Sequence, residues 1–110
     1  MSVSYFVRYQ NLGPASSSFV DYYRNRHAPI LCDFPGLNSL VLHTPVASAD
    51  PFPTKTDPTE FLAQMVFASP DALNRALASE ARRRARDDFP NFPPFGGPVS
   101  HLAMRAEKIR

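Results

Sequence analysis

Apolar and polar residues change period several times along this chain, and each change marks an element. Residues 3–10 alternate, with Val3, Tyr5, Val7 and Tyr9 on one face and Phe6 and Arg8 on the other. Such β-branched and aromatic alternation predicts a strand, and Asn11-Leu12-Gly13-Pro14 ends it. Phe19, Tyr22, Tyr23, Arg26, His27 and Ile30 then follow at helical spacing, with Phe19, Tyr23 and Ile30 on the apolar face. Ser16, Ser17 and Ser18 offer N-caps, with Ser18 and Asp21 as a capping-box-like pair. Pro29 lacks an N–H and crowds the carbonyl of Asn25, which predicts an end or a kink near His27.

Residues 37–44 and 61–67 read as the second and third strands. Ser69-Pro70-Asp71 opens a second helix with an N-cap, a proline at the first helical position and an acid in the first turn. Leu73, Ala76 and Leu77 line its inner face, and Ser79-Glu80 recaps a further helical piece carrying Ala81 and Ala85. Residues 99–106 alternate again as the last strand.

The order is β-α-β-β-α-β, which predicts a ferredoxin-like α+β fold: a four-stranded antiparallel sheet with two helices on one face. The third strand is apolar on both sides except at Gln64, with Phe61, Ala63, Met65 and Phe67 opposite Leu62 and Val66. Continuous apolar runs belong to sheets covered on both faces. A bare apolar face on so small a chain is an interaction surface, so the expected assembly is a homodimer packed through the open sheet face.

Composition narrows the classes. The 110 residues fit one domain, taken as 1–110. No apolar run spans a membrane and no signal-peptide pattern opens the chain. A single cysteine, Cys32, allows no internal disulfide and reads as a small buried hydrophobe; a cytoplasmic setting is the expectation. The net charge of +2 comes mainly from residues 82–86, which read as a solvated helix face, so nucleic acid is not an expected partner. Arg8 and Arg105, within strands, read as paired or solvated. Twelve prolines are about twice the usual share. Eight of them fall in two loops, 45–58 and 90–98, which also hold Phe52, Phe92 and Phe95. These loops are expected to rim a small-molecule cleft, its phenylalanines excluding water.

The segment Tyr22-Tyr23-Arg24-Asn25-Arg26-His27-Ala28-Pro29 resembles the Tyr-(Tyr/Trp)-Arg-x-x-His-Ala-Pro block of EthD-type proteins. Phe34-Pro35-Gly36-Leu37, Ser79 and Asn91-Phe92 sit where that family would place them. The resemblance implies a dimeric α+β barrel, the assembly also inferred from the apolar runs. It further implies a cleft between helices and sheet used for proton-transfer chemistry on small organic acids, lactones or polyketides, without a cofactor.

His27 is the leading candidate for general acid/base, because an imidazole is poised for proton transfer near neutral pH. The plainer alternative is a histidine that packs its ring and bonds a nearby carbonyl. Tyr23, four residues earlier on the same helix face, and Tyr9, at the end of the first strand, are candidates to orient a substrate oxygen. Tyr22 points about 100° away from Tyr23. His43 and His101 either pair with His27 across the fold or sit at a strand edge or the dimer interface; they join Phe52, Phe92 and Phe95 as substrate-binding candidates. Three scattered histidines lack metal-site spacing, and neither a phosphate-binding glycine loop nor a serine nucleophile elbow is present.

Three functions remain open: a cofactor-independent isomerase, dehydratase or lactone-rearranging enzyme acting on a small organic or aromatic-degradation intermediate; a non-catalytic binding protein of an oxidative degradation pathway; and a cofactor-free monooxygenase.

Overall fold

The structure is a computed structural model and describes residues 2–110. Its four strands are β1 (Val3–Tyr9), β2 (Leu37–His43), β3 (Phe61–Phe67) and β4 (Val99–Arg105). They form one antiparallel sheet in the order β2-β3-β1-β4. The helical segments α1 (Ser16–Tyr22), α2 (Ala28–Leu31), α3 (Pro70–Leu77) and α4 (Glu80–Asp88) cover one face. The ferredoxin-like arrangement expected from the sequence is therefore present.

Cross-strand register explains the two-sided apolar pattern. Val3, Tyr5, Val7 and Tyr9 stand beside Phe67, Met65, Ala63 and Phe61. This is the helix-covered face, where Phe61, Ala63, Met65 and Phe67 are almost completely buried. The opposite face carries Phe6, Val41, Leu62, Val66, Leu102 and Met104, of which Val41, Leu102 and Met104 are exposed. Gln64 breaks that apolar surface. Its Oε1 lies 3.0 Å from His43 Nε2, and its Nε2 donates to Ser4 Oγ at 3.1 Å, so one polar stripe crosses three strands.

Two helix starts behave as the sequence predicts. Ser69 Oγ accepts from the Ala72 N–H at 3.1 Å, and Ser79 Oγ accepts from the Arg82 N–H at 3.3 Å. The first helix differs. The chain enters it from a 3-10 turn, Gly13–Ala15, and Ser16 donates its N–H to the Gly13 carbonyl, so no serine side chain caps it. Asp21, expected in a capping box, pairs instead with Arg24 at 3.1 Å.

Pro29 neither ends the helix nor leaves it regular. Between α1 and α2, Tyr23–His27 form a wide π turn in which the Ala28 N–H reaches back five residues to the Tyr23 carbonyl. The wider turn accommodates a proline that cannot donate to Asn25. Winding then resumes with Leu31 and Phe34 buried and Ile30 only half-buried. Cys32, expected inside, is exposed at the end of α2, because Leu31 and Phe34 occupy the inward positions.

The two proline loops have different positions. Residues 45–58 run over the surface, tied down where Arg8 Nη2 meets Asp57 Oδ1 at 3.0 Å and Arg8 Nε donates to Thr59 at 2.9 Å. Residues 90–98 fold back onto the core, where Asn11, at φ 55°, donates from Nδ2 to the Gly97 carbonyl at 2.6 Å.

Candidate functional site

A cavity of about 350 Å³ opens between the helix-covered face of the sheet and the helices α2 and α4. Its walls are mostly apolar and aromatic, with Val7, Tyr9, Met65 and Val99 from the strands and Leu31, Phe34 and Phe89 from the helical side. His27 is the polar centre. The π turn brings its ring onto the inner surface, where it is buried, 4.8 Å from the Tyr23 ring and edge-on to Phe92 at 4.7 Å.

His27 Nδ1 lies 2.9 Å from Asp88 Oδ2. Asp88 is the last residue of α4, and its other oxygen accepts from the Tyr22 hydroxyl at 2.6 Å and from Asn91 Nδ2 at 3.2 Å. A carboxylate on Nδ1 fixes the tautomer that carries its proton there and leaves Nε2 as the basic nitrogen. Burial pulls the His27 pKa below its ordinary 6.5; Asp88 opposes the shift, and the charge of Arg82 adds to it. The ring is therefore neutral at neutral pH. For Asp88, burial works upward, but hydrogen bonds from Tyr22, His27 and Asn91 outweigh it and hold the carboxyl below its ordinary value.

Tyr9 and Tyr23 line the same cavity, their rings edge-on at 5.6 Å. Burial pushes the Tyr9 phenol up to about 12 and that of Tyr23 well above the usual range. Both phenols therefore stay protonated near neutral pH. Their rings belong to an edge-to-face cluster with Phe19, Phe61, Phe92 and Phe95, which fixes their orientation.

The EthD domain model matches residues 13–93. The chain belongs to the EthD family. Its fold is similar to that of an EthD family protein from Bacillus halodurans, at 20% identity over 97% of this chain and all of that one, with a TM-score of 0.77. It is also similar to SnoaB, a cofactor-independent oxygenase from Streptomyces nogalater, at 18% identity over 97% of this chain and 94% of that one, TM-score 0.62. A dimeric ferredoxin-like protein of unknown function from Thermobifida fusca matches at 9% identity over 96% and 92% of the two chains, TM-score 0.66. No curated protein matches the chain.

Within this EthD chain, the candidates named from sequence separate by sheet face. His27, Tyr23, Tyr9 and His101 line the cavity, with His101 exposed at its edge beside Tyr5. Phe92 packs on His27 and Phe95 on Tyr9. His43 does not join them: the β2–β3 register turns it to the open face, where it meets Gln64. Phe52, in the outer proline loop, is 74% exposed and does not line the cavity, because Arg8 anchors that loop elsewhere.

Three residues at the site carry no distinctive signal in the sequence. Asp88 follows an arginine run and reads as its charge balance; only the helical end at residue 88 and the fold bring it to His27, 61 positions away. Arg82 and Arg86 read as a solvated face but line the cavity. Their four-residue spacing was the available clue. Among the described residues, no three of His, Cys, Asp and Glu are grouped to hold a metal ion, and no helix is long and apolar enough to cross a membrane.

Proposed function

We propose that this EthD-family protein is a cofactor-independent proton-transfer enzyme acting on a small, largely apolar organic molecule held in the cavity. The observation that carries the reading is the His27–Asp88 pair, a neutral imidazole with an oriented Nε2 in an apolar pocket. Nε2 takes a proton from a carbon next to a substrate carbonyl, and the electron pair moves onto the carbonyl oxygen. Asp88 stabilises the resulting imidazolium through Nδ1–H. Tyr9, protonated and on the cavity wall, donates its hydroxyl proton to the new oxyanion. Return of the proton from His27 to a different carbon completes an isomerisation, and expulsion of a β-hydroxyl as water completes a dehydration.

A second reading is favoured by the fold likeness to a cofactor-independent oxygenase. There the same base forms the same anion, and dioxygen is the oxidant. An activated CH2 becomes C=O, and the second oxygen atom leaves as water. The two readings share His27 and differ in whether turnover consumes oxygen.

The active unit in this proposal is a homodimer, with the open sheet faces covering each other; the exposed Val41, Leu102 and Met104 and the dimeric ferredoxin-like neighbour support it. The deciding experiment is a turnover screen of wild type and His27→Gln on carbonyl compounds with an acidic neighbouring C–H, run in an oxygen electrode. Loss of turnover in the variant supports the assignment, and oxygen uptake selects the second reading. Equal turnover by both proteins removes His27 from the chemistry.

A further inference from the structure

We propose that the ligand of this cavity is an organic anion, an aromatic body carrying a carboxylate, and that Arg82 and Arg86 together grip the carboxylate. The inference rests on the reading that this cavity is the substrate site, and it adds the charge of the substrate and the residues that select it.

The arginines of α4 divide into two sets. Arg83 pairs with Glu80 at 3.5 Å and Arg84 with Asp33 at 3.2 Å, both on the outer surface. Arg82 and Arg86, one helical turn apart, line the cavity, and among the described residues neither forms an ion pair. The nearby carboxylate of Asp88 is already engaged by His27, Tyr22 and Asn91. Arg82 is half-buried and Arg86 exposed, so the two sit at the solvent edge of the pocket. Arg82 lines the same cavity as His27 and His101, so its charge borders both imidazoles.

Two guanidiniums without carboxylate partners at the wall of an apolar pocket leave their donors available to an anionic ligand. Their planar forks match a carboxylate bidentately, at strengths greater than those of neutral hydrogen bonds. The remaining wall, with Val7, Leu31, Phe34, Met65 and Val99, suits a flat apolar body and offers nothing to a sugar or a bare inorganic ion. A positive rim also stabilises the oxyanion formed when His27 removes a proton, so one feature serves both binding and the anionic intermediate.

The test is calorimetric binding of 2-naphthoate and its neutral isostere 2-naphthamide to wild type, Arg82→Gln/Arg86→Gln, Arg82→Lys/Arg86→Lys and His27→Gln, with thermal unfolding confirming that each is folded. Wild type is expected to prefer the carboxylate by about tenfold or more, as charged hydrogen bonds imply. The glutamine pair is expected to lose that preference, the lysine pair to keep part of it, and His27→Gln to keep it. Equal binding of acid and amide by wild type, no binding of naphthoate, or an undiminished preference in the folded glutamine pair overturns the proposal. Because naphthoate is bound and not turned over, the outcome is separate from that of the His27 turnover screen.

Discussion

His27 and Asp88 meet at 2.9 Å although they sit on different helical segments, and the carboxylate engages Nδ1, leaving Nε2 without a protein partner among the hydrogen bonds of the described residues. Asp88 is thus a positioning residue. Asp88→Asn is expected to lower turnover by about 100-fold or more, within the range of general acid–base catalysis, while binding changes little. Removing a charge that favours the imidazolium also lowers the His27 pKa further, so the acid limb of the pH–rate profile moves to lower pH. A purely structural role predicts lower activity with an unmoved limb; the profile of the residual activity decides.

The pH dependence of the wild type follows from the same group. Activity needs neutral His27, whose pKa is lowered by burial, so the rate should rise with pH through a midpoint below 6.5. Tyr9, at about 12, adds no alkaline limb near neutrality. A rate profile with its acid midpoint above 6.5 contradicts the assignment.

Stability should track pH in the same direction. Folded His27 and His101 resist protonation, so the unfolded chain binds protons first as the solution is acidified. Their contribution is complete above about 6.5 and is lost as the pH falls through their lowered folded values. Asp88 adds a share that is lost only below its ordinary 3.8. Thermal midpoints measured from pH 7.5 downward should fall, and His27→Gln should flatten that fall.

The caps allow a test that leaves the site alone. Ser69→Ala and Ser79→Ala each remove an oxygen that accepts a backbone N–H at a helix start, and each should destabilise by about 1 kcal/mol in denaturant unfolding. The corresponding change at Ser16 should be near zero, since the Gly13 carbonyl already takes its N–H.

The open sheet face carries the assembly prediction. Leu102→Asp or Met104→Asp places a charge on an exposed apolar strand, and the dimer measured by sedimentation should dissociate to monomers. A wild type that sediments as a monomer at all concentrations would refute the sheet-to-sheet dimer.

The order of elements was legible because each strand and cap has a local cause: alternation in residues 3–9, Ser69 before Pro70, and Ser79 before Glu80. The location of His27 was legible from its motif, and the sharing of a face by Tyr23 and His27 from their spacing. Asp88 was not, since its meaning depends on a contact between α4 and the π turn that no local period encodes. His43 and His101 look alike in sequence, yet strand register places them on opposite faces of the sheet, and a one-residue shift would exchange them. Phe52 and Phe92 sit in loops of similar composition, and only the anchors, Arg8 for one and Asn11 for the other, decide which loop reaches the cavity.

The wide turn at Tyr23–His27 amounts to one surplus residue spliced into an otherwise regular helix. A chain shortened by one residue within 24–26, with Pro29 replaced by alanine, has what it needs to wind regularly across the same sheet. The bulge and the sheet are thus separate features of the chain: the extra residue sets the local winding that carries His27, and the strand register is set elsewhere.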